Sequence, residues 1–240
     1  MRVRGNRVSL RASAEPAWIL HRRPLRETSL ILDVLTRNYG RISLVSRGGR
    51  QARGGGLLQS FRPLKLDFVQ KTELGTLSRF EADGAAPRLS GTRLWCGFYV
   101  NELILRLATH NDTQAAELFD AYLTVLQRLP EHDPAPLLRQ FEYRLLSHQG
   151  YALQPDVLTQ AAAFRWDSTR GLVASSAGVP VAALQALLAG AWDARVNPCR
   201  PLLAEMLRSQ LGTRPLQSAS MLRELTSLQS SRAAGPGTTG

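Results

Sequence analysis

Residues 64–69, Leu64-Lys65-Leu66-Asp67-Phe68-Val69, place apolar and charged side chains in strict alternation. A period of two is typical of a strand with one face buried. Other short apolar runs lie at 18–20, 30–35, 42–45 and 76–80, separated by turn-forming residues. The first eighty-odd residues therefore predict five strands with a long loop after the third. This arrangement suits a small closed barrel of the OB type, and an open antiparallel sheet would give the same pattern.

The hydrophobic spacing becomes helical from residue 92 onward. An apolar segment at 94–108 predicts a buried helix. Further helices are expected over 115–129 and 134–149, from Asn197-Pro198 to residue 211, and from Ser220 to residue 228, with a hairpin at 164–175. The sequence thus predicts an α+β fold. Its segments are a basic flexible N-terminus (1–14), an OB-fold nucleic-acid-binding domain (15–82), a helical domain (90–228) and a disordered tail (229–240).

The positive charge is concentrated at one end of the chain. The net charge is +11, and residues 1–62 hold thirteen arginines against only three acids. An arginine-rich genome would explain the preference for Arg over Lys, but it would not explain why Arg outnumbers the acids at one end only. No apolar run is long enough to span a bilayer, and the N-terminus has no secretory signal. The asymmetry therefore indicates a polyanionic partner, nucleic acid rather than membrane.

The residue combinations that most enzymes need are missing from the sequence. The four histidines are scattered, and the glycine-rich segment 47–56 lacks the Lys-Ser/Thr of a phosphate-binding loop. Cys96 and Cys199 lie a hundred residues apart, which excludes a disulfide framework or a four-cysteine zinc site made by this chain alone. We expect a non-enzymatic binding protein with no metal or other cofactor and two reduced thiols, located in the cytoplasm and associated with the nucleoid.

Five blocks resemble the RecO family of DNA recombination mediators, in family order across residues 17–228. They are 18–50 (Trp-Ile-Leu-His-Arg-Arg-Pro-Leu-Arg-Glu-Thr-Ser and onward), 58–64, 97–103, 139–146 and 211–218. The resemblance implies an OB-fold, a helical domain, and binding to single- and double-stranded DNA. It also implies annealing of complementary strands, action with RecR (and RecF), and loading of RecA onto DNA coated with single-strand DNA-binding protein (SSB). Many relatives carry a four-cysteine zinc module after the motif that resembles Gly150-Tyr151. The stretch 152–166 contains no cysteine here, so this module lacks its ligands.

The candidate DNA contacts lie on predicted strands 2–3 and their flanking loops, where OB folds usually bind oligonucleotides. Arginine pairs with phosphate and stacks on bases, which suits binding without sequence preference. Phe61 is expected to belong to the core, and Tyr39 is open to both interpretations. The candidates are Arg22, Arg23, Arg26, Arg37, Tyr39, Arg41, Arg47, Arg50 and Arg53.

A candidate protein-binding site lies on the helix around Arg139. Arg139, Tyr143 and Leu146 are spaced i, i+4, i+7 and predict a face distinct from the Leu137–Phe141 core stripe. An arginine beside an aromatic and an aliphatic side chain suits an acidic, apolar C-terminal tail. The family resemblance places the contact with the SSB tail at these residues.

Two rival functions remain open on the sequence alone. An RNA-binding translation factor with an OB fold would share the barrel and its charge. An enzyme whose site forms only in a complex would share the absence of motifs. Annealing of SSB-coated DNA separates the first rival, and loss of all activity on replacing one acid would reveal the second.

Overall fold

A computed structural model describes residues 10–49, 55–112, 115–222 and 224 of the 240-residue chain. The strands are β1 (Leu10–Leu25), β2 (Ser29–Thr36), β3 (Gly40–Ser46), β4 (Pro63–Gln70), β5 (Leu74–Ala82), β6 (Ala163–Asp167), β7 (Gly171–Ala174) and β8 (Val179–Pro180). The helices are α1 (Gly91–Leu107), α2 (Ala116–Arg128), α3 (Pro134–His148), α4 (Val181–Leu188) and α5 (Arg200–Leu211).

The first five strands form a closed barrel in the order β1-β2-β3-β5-β4, and β1 pairs with β4 to close it. All neighbours are antiparallel except β3 and β5, which are parallel. Inward-facing side chains such as Leu32, Ile42, Leu66 and Phe68 fill the interior and are fully buried. The predicted α+β fold with an OB barrel is thus confirmed. The open sheet is excluded, because the pairing of β1 with β4 leaves no free edge strand.

The chain divides into two compact units. The first contains the barrel, up to Arg88, together with Ala108–Leu123, which includes the N-terminal half of α2. The second contains Leu89–Leu107 and the chain from Thr124 onward. In that second unit α3 is the central helix, because it contacts α1, α4 and α5, while β7, β6 and β8 form a small antiparallel sheet.

Strand β1 is longer than the sequence predicted, because it begins at Leu10 and so includes residues 10–14 of the segment expected to be flexible. A bulge interrupts its pairing with β4 between Ala12 and Glu15, where Ala14 has a φ of 49°. The backbone N–H of Ala14 donates to Asp67 Oδ1 at 2.7 Å. A β4 carboxylate therefore stabilises the bulge that lets β1 bend. Residues 1–9 and 225–240, including the predicted tail, lie outside the described residues.

Three helix starts differ from their predictions, the first being that of α1, which begins at Gly91 rather than at residue 94. Asn197-Pro198 was expected to begin a helix, but it lies in a 3-10 helix at Ala194–Cys199, and α5 begins at Arg200. The last helical segment begins at residue 217 rather than at Ser220. The Glu102 carboxylate from α1 accepts hydrogen bonds from the backbone N–H groups of Gln217 and Ser218, at 3.0 and 2.9 Å. A distant carboxylate caps this helix, which local sequence patterns do not reveal.

Gly40, in the β2–β3 turn, has a φ of +64°, and a Cβ added there would lie 2.8 Å from the carbonyl oxygen of Asp112. Gly48 has nearly the same φ, +67°, with nothing within 4 Å of the corresponding position. We predict that Gly48→Ala costs about 1–2 kcal/mol of unfolding free energy, from backbone strain alone. Gly40→Ala adds a steric clash and costs about 1–3 kcal/mol more. Urea unfolding of both variants tests this, and equal losses would contradict the close approach of Gly40 to Asp112.

Candidate nucleic-acid interface

Four of the predicted DNA-binding arginines lie at one end of the barrel. Arg22 and Arg23 are on the last part of β1, Arg26 is in the β1–β2 turn, and Arg47 directly follows β3. The pairing of Leu30 with Ser46 brings the end of β3 beside the start of β2, next to this turn. All four arginine side chains are exposed. We name these four residues the hairpin-end arginines.

The positions of the hairpin-end arginines follow from local backbone geometry. Arg26 has a φ of 54°, so the turn places a charged residue in the left-handed conformation. The guanidinium of Arg22 donates from Nη1 to the carbonyl oxygen of Leu58 at 3.2 Å, which holds its side chain across the rim of the barrel. Gly49 allows the chain to turn tightly after Arg47, because a Cβ there would meet Ser46 Oγ at 2.5 Å.

The remaining described candidates lie at the opposite end of β2, around the β2–β3 turn. Arg37 forms a two-point ion pair with Asp120 of α2, with Nη2 and Oδ2 3.0 Å apart, and its guanidinium lies over the Phe119 ring. Arg41 donates from Nε to the carbonyl oxygen of Ala108 at 3.1 Å, and burial lowers its pKa. These two guanidiniums hold neighbouring segments of their own unit.

The two candidate aromatic residues pack against the protein interior. Tyr39 is half-buried and makes an edge-to-face contact with Phe68, with ring centroids 5.8 Å apart. It therefore packs against the barrel core, which decides between the two interpretations of its position. Phe61 is buried, as the sequence predicted.

The structure therefore divides the predicted set between two ends of an eight-residue strand, about 25 Å apart. The hairpin-end arginines are presented to solvent together, while Arg37, Tyr39 and Arg41 are engaged within the protein. Arg50 and Arg53 lie outside the described residues. Sequence order alone could not make this division, since the partner of Arg37 lies 83 residues away.

Arg139, Tyr143 and Leu146 do not form a separate surface on α3. Arg139 is 13% exposed in its side chain, Tyr143 is 7% exposed and Leu146 is fully buried. The predicted face is thus wrong as a description of the surface, because α3 is covered on several sides by α1, α4 and α5. The helical spacing grouped these three residues on one side of α3 but could not tell that this side was covered.

The surroundings of Arg139 are polar at one point within this core. Arg139 Nη2 and Tyr99 Oη both donate to Glu142 Oε1, at 2.6 and 2.7 Å. Burial raises the pKa of Glu142, and Arg139, the Tyr99 hydrogen bond and nearby Arg200 oppose the rise. Arg139 Nε is buried and has no hydrogen-bond partner among the described residues. Arg200, which is exposed, is a cation of this region that the sequence analysis did not identify.

Comparisons with known proteins identify the family of the chain. A family model described as "Recombination protein O N terminal" matches residues 11–84, and one described as "Recombination protein O C terminal" matches residues 88–157. The DNA repair protein RecO of Aromatoleum aromaticum is 34% identical, and the alignment covers 91% of this chain and 98% of that protein. The RecO proteins of Nitrosospira multiformis and Alkalilimnicola ehrlichii are each 37% identical, with 98% and 96% of those proteins covered. The chain belongs to the RecO family.

Membership of the RecO family assigns the chain a role in DNA repair and recombination, and the family resemblance found in the sequence is confirmed. The family is one of DNA-binding repair proteins, in agreement with the basic barrel. Within the described residues, none of the helices combines the length and apolar character needed to cross a lipid bilayer.

Apolar contacts hold the segment in which the family resemblance implied a zinc module. Tyr151 and Trp166 meet edge to face with centroids 6.5 Å apart, and Leu158 of the intervening 3-10 helix is buried. In the part of the chain that the structure describes, no group of three or more His, Cys, Asp or Glu could hold a metal ion. Burial raises the pKa of Cys96 to about 11 and that of Cys199 to about 12, which keeps both as neutral thiols. These residues do not fit a zinc site.

We predict that the purified protein contains no stoichiometric zinc and that a chelator leaves its thermal midpoint unchanged. If a structural zinc stabilised the fold, a chelator would remove the metal and lower the thermal midpoint, whereas a chelator does not affect aromatic and aliphatic packing. Elemental analysis and thermal unfolding with and without EDTA test this. One zinc per chain, or a midpoint lowered by EDTA, would refute the prediction.

Proposed function

We propose that this chain is a non-enzymatic recombination mediator that binds single- and double-stranded DNA and anneals complementary strands. The observation that carries the proposal is the group of four exposed hairpin-end arginines on a closed OB barrel. Guanidiniums at a barrel rim can hold phosphates regardless of base sequence and can stack on exposed bases. Membership of a DNA repair family favours DNA over RNA as the strand. No covalent step is required, because annealing needs only charge neutralisation and strand positioning.

The proposal extends to partners that the family resemblance implies. We propose action with RecR (and RecF) to load RecA onto single-stranded DNA coated with SSB, in the cytoplasm at the nucleoid. The RNA-binding alternative predicts that RNA strands compete with DNA equally and that SSB-coated DNA is not annealed. An annealing assay with SSB-coated complementary strands distinguishes the two functions.

DNA binding by the barrel is expected to weaken steeply as the salt concentration rises. The slope of log K against log salt is expected to be about −0.7 per phosphate neutralised on a single strand. Replacing Arg23, Arg26 and Arg47 with Gln should flatten this slope by about 1–2 units, because these exposed side chains release counterions when they bind phosphate. Fluorescence anisotropy of a labelled oligothymidine across a salt series measures it.

The matched control removes the same charge from the same unit at other exposed positions, Lys71, Arg79 and Arg88. Its slope should stay close to that of the unmodified protein. If both triple variants behave alike, the hairpin end contributes only general charge, and the DNA site on the barrel lies elsewhere.

We also propose that the region around Arg139 receives the acidic C-terminal tail of SSB. The buried, unpartnered Nε of Arg139 supports this, because a buried donor without an acceptor is costly and a carboxylate would satisfy it. Tyr143 and Leu146 supply apolar surface, so docking requires the covering segments to open. Arg200 offers an exposed guanidinium beside the same cluster and would make the first contact with the tail.

Arg139→Ala by itself is an ambiguous test. It would leave the Glu142 carboxylate buried without its cation, a change that typically costs about 3–5 kcal/mol of stability. The raised pKa of Glu142 would rise further, so the loss should be largest above that pKa and smaller in acid, where the carboxyl group is neutral. Weaker tail binding by this variant would then mix recognition with unfolding.

The sharper test uses Arg200→Gln and the double variant Arg139→Met/Glu142→Gln, which removes both buried charges and keeps a hydrogen-bond partner for Tyr99. The free energy of unfolding of both variants should lie within about 1–2 kcal/mol of that of the unmodified protein. The double variant should bind an SSB-tail peptide at least about tenfold more weakly, since truncating a desolvated charge contact typically costs 2–5 kcal/mol. Arg200→Gln should weaken binding by a smaller factor, because this side chain is exposed. Annealing of naked strands should survive. Normal peptide affinity in both variants, measured by anisotropy, would place the tail elsewhere.

A further inference from the structure

Two arginines of the second unit share one tryptophan ring. The Arg128 Cζ, at the end of α2, lies over Trp192 at 5.7 Å from the ring centroid, and the Arg144 Cζ, on α3, lies over it at 5.6 Å. Both guanidiniums therefore lie within roughly one Debye length of each other, about 10 Å at 0.1 M salt. Each gains a cation–π contact with the ring, but the two positive charges repel.

In the part of the chain that the structure describes, no carboxylate is paired with either guanidinium. Among the described residues, neither Arg128 nor Arg144 forms an ion pair, and Arg144 Nε is buried without a hydrogen-bond partner. The neighbouring acid, Asp193, is already held by Arg195, with contacts of 2.9 and 2.7 Å to its two carboxylate oxygens. A buried donor without an acceptor, beside a second unpaired cation, favours an anion that accepts several hydrogen bonds.

The ring and one of the cations are held in place before any ligand binds. The helix α4 ends in a Schellman motif, in which Ala191 N donates to Ala186 O at 3.0 Å and Gly190 N donates to Leu187 O at 3.1 Å. This turn fixes the backbone just before Trp192. Arg144 is half-buried on α3, while Arg128 is exposed and can adjust to a bound group. The arrangement is one fixed guanidinium, one movable guanidinium and a rigid aromatic platform between the segments that carry them.

We propose that Arg128, Arg144 and Trp192 form a second site for a backbone phosphate of single-stranded DNA, separate from the hairpin-end arginines. A phosphodiester accepts hydrogen bonds from both guanidiniums and neutralises their repulsion, while the indole keeps them oriented. The inference rests on the proposed function only in taking DNA as the strand. It adds a contact on the second unit, which a basic OB barrel alone does not predict.

The test compares the double variant Arg128→Gln/Arg144→Gln with Arg93→Gln/Arg170→Gln. The control removes the same charge from two exposed positions of the same unit. Anisotropy titrations with labelled oligothymidine over a salt series should show the site variant binding about tenfold more weakly at low salt. Its salt slope should be flatter by about 0.7–1.4 units, the contribution of one or two phosphates. The control should keep the slope of the unmodified protein.

Folding is checked by thermal unfolding, and Arg128→Gln alone provides a variant at an exposed position that does not threaten the core. It should give about half of the change in slope. Free inorganic phosphate, at constant ionic strength, should compete weakly with the oligothymidine for the unmodified protein, since a strand also holds other contacts.

Equal slopes for the site variant and the control, with normal DNA binding by the unmodified protein, would overturn the second site and leave the barrel proposal standing. Loss of slope in the barrel triple variant only would do the same. If the unmodified protein fails to bind oligothymidine at all, both the second site and the proposed function are refuted.

Discussion

Strand β1 pairs along both of its edges, with β4 through residues 10–18 and with β2 through residues 17–25. A regular strand cannot bend enough to do this within sixteen residues, so β1 carries two irregularities, one between Ala12 and Glu15 and one between Ile19 and His21. Asp67 accepts the N–H of Ala14 at the first, and the buried Glu15 accepts from the backbone and side chain of Asn38 at 2.7 and 2.8 Å. Closure of the barrel thus depends on hydrogen bonds to two carboxylates as well as on the apolar core.

The same closure explains where the charge can act. Because β1 extends past the barrel toward its hairpin with β2, Arg22, Arg23 and Arg26 have little interior to pack against. At the other end of β2, the segment 108–123 lies against the β2–β3 turn and uses Arg37 and Arg41 as its anchors. One set of arginines is therefore available to a ligand and the other stabilises the unit. The same residue type therefore has different roles at the two ends of β2.

Much of the fold could be predicted from periodicity, because local patterns dictate it. The alternation at 64–69 became β4 with Leu64, Leu66 and Phe68 inward, and α3 begins and ends within one residue of its expected limits. Two of the misses share a cause, which is that a distant group decided the outcome. Asp67 stabilises the early start of β1, and Glu102 moves the start of the last helical segment to Gln217. Nothing near those positions in sequence reports such partners.

The functional sites show the same limit more strongly. Helical spacing placed Arg139, Tyr143 and Leu146 on one face, but only the packing of α3 against its neighbours reveals that Leu146 is fully buried. Burial also changes the interactions that are open to Arg139. An exposed arginine would be a simple cation, whereas here the guanidinium already holds Glu142 at 2.6 Å and retains one unsatisfied donor. An incoming carboxylate would therefore approach a pair with little net charge, and its binding would depend on directed hydrogen bonds and on Arg200 rather than on long-range attraction. Under the proposed function the hairpin-end arginines would work in the opposite way, since exposed cations attract any phosphate at a distance and select none.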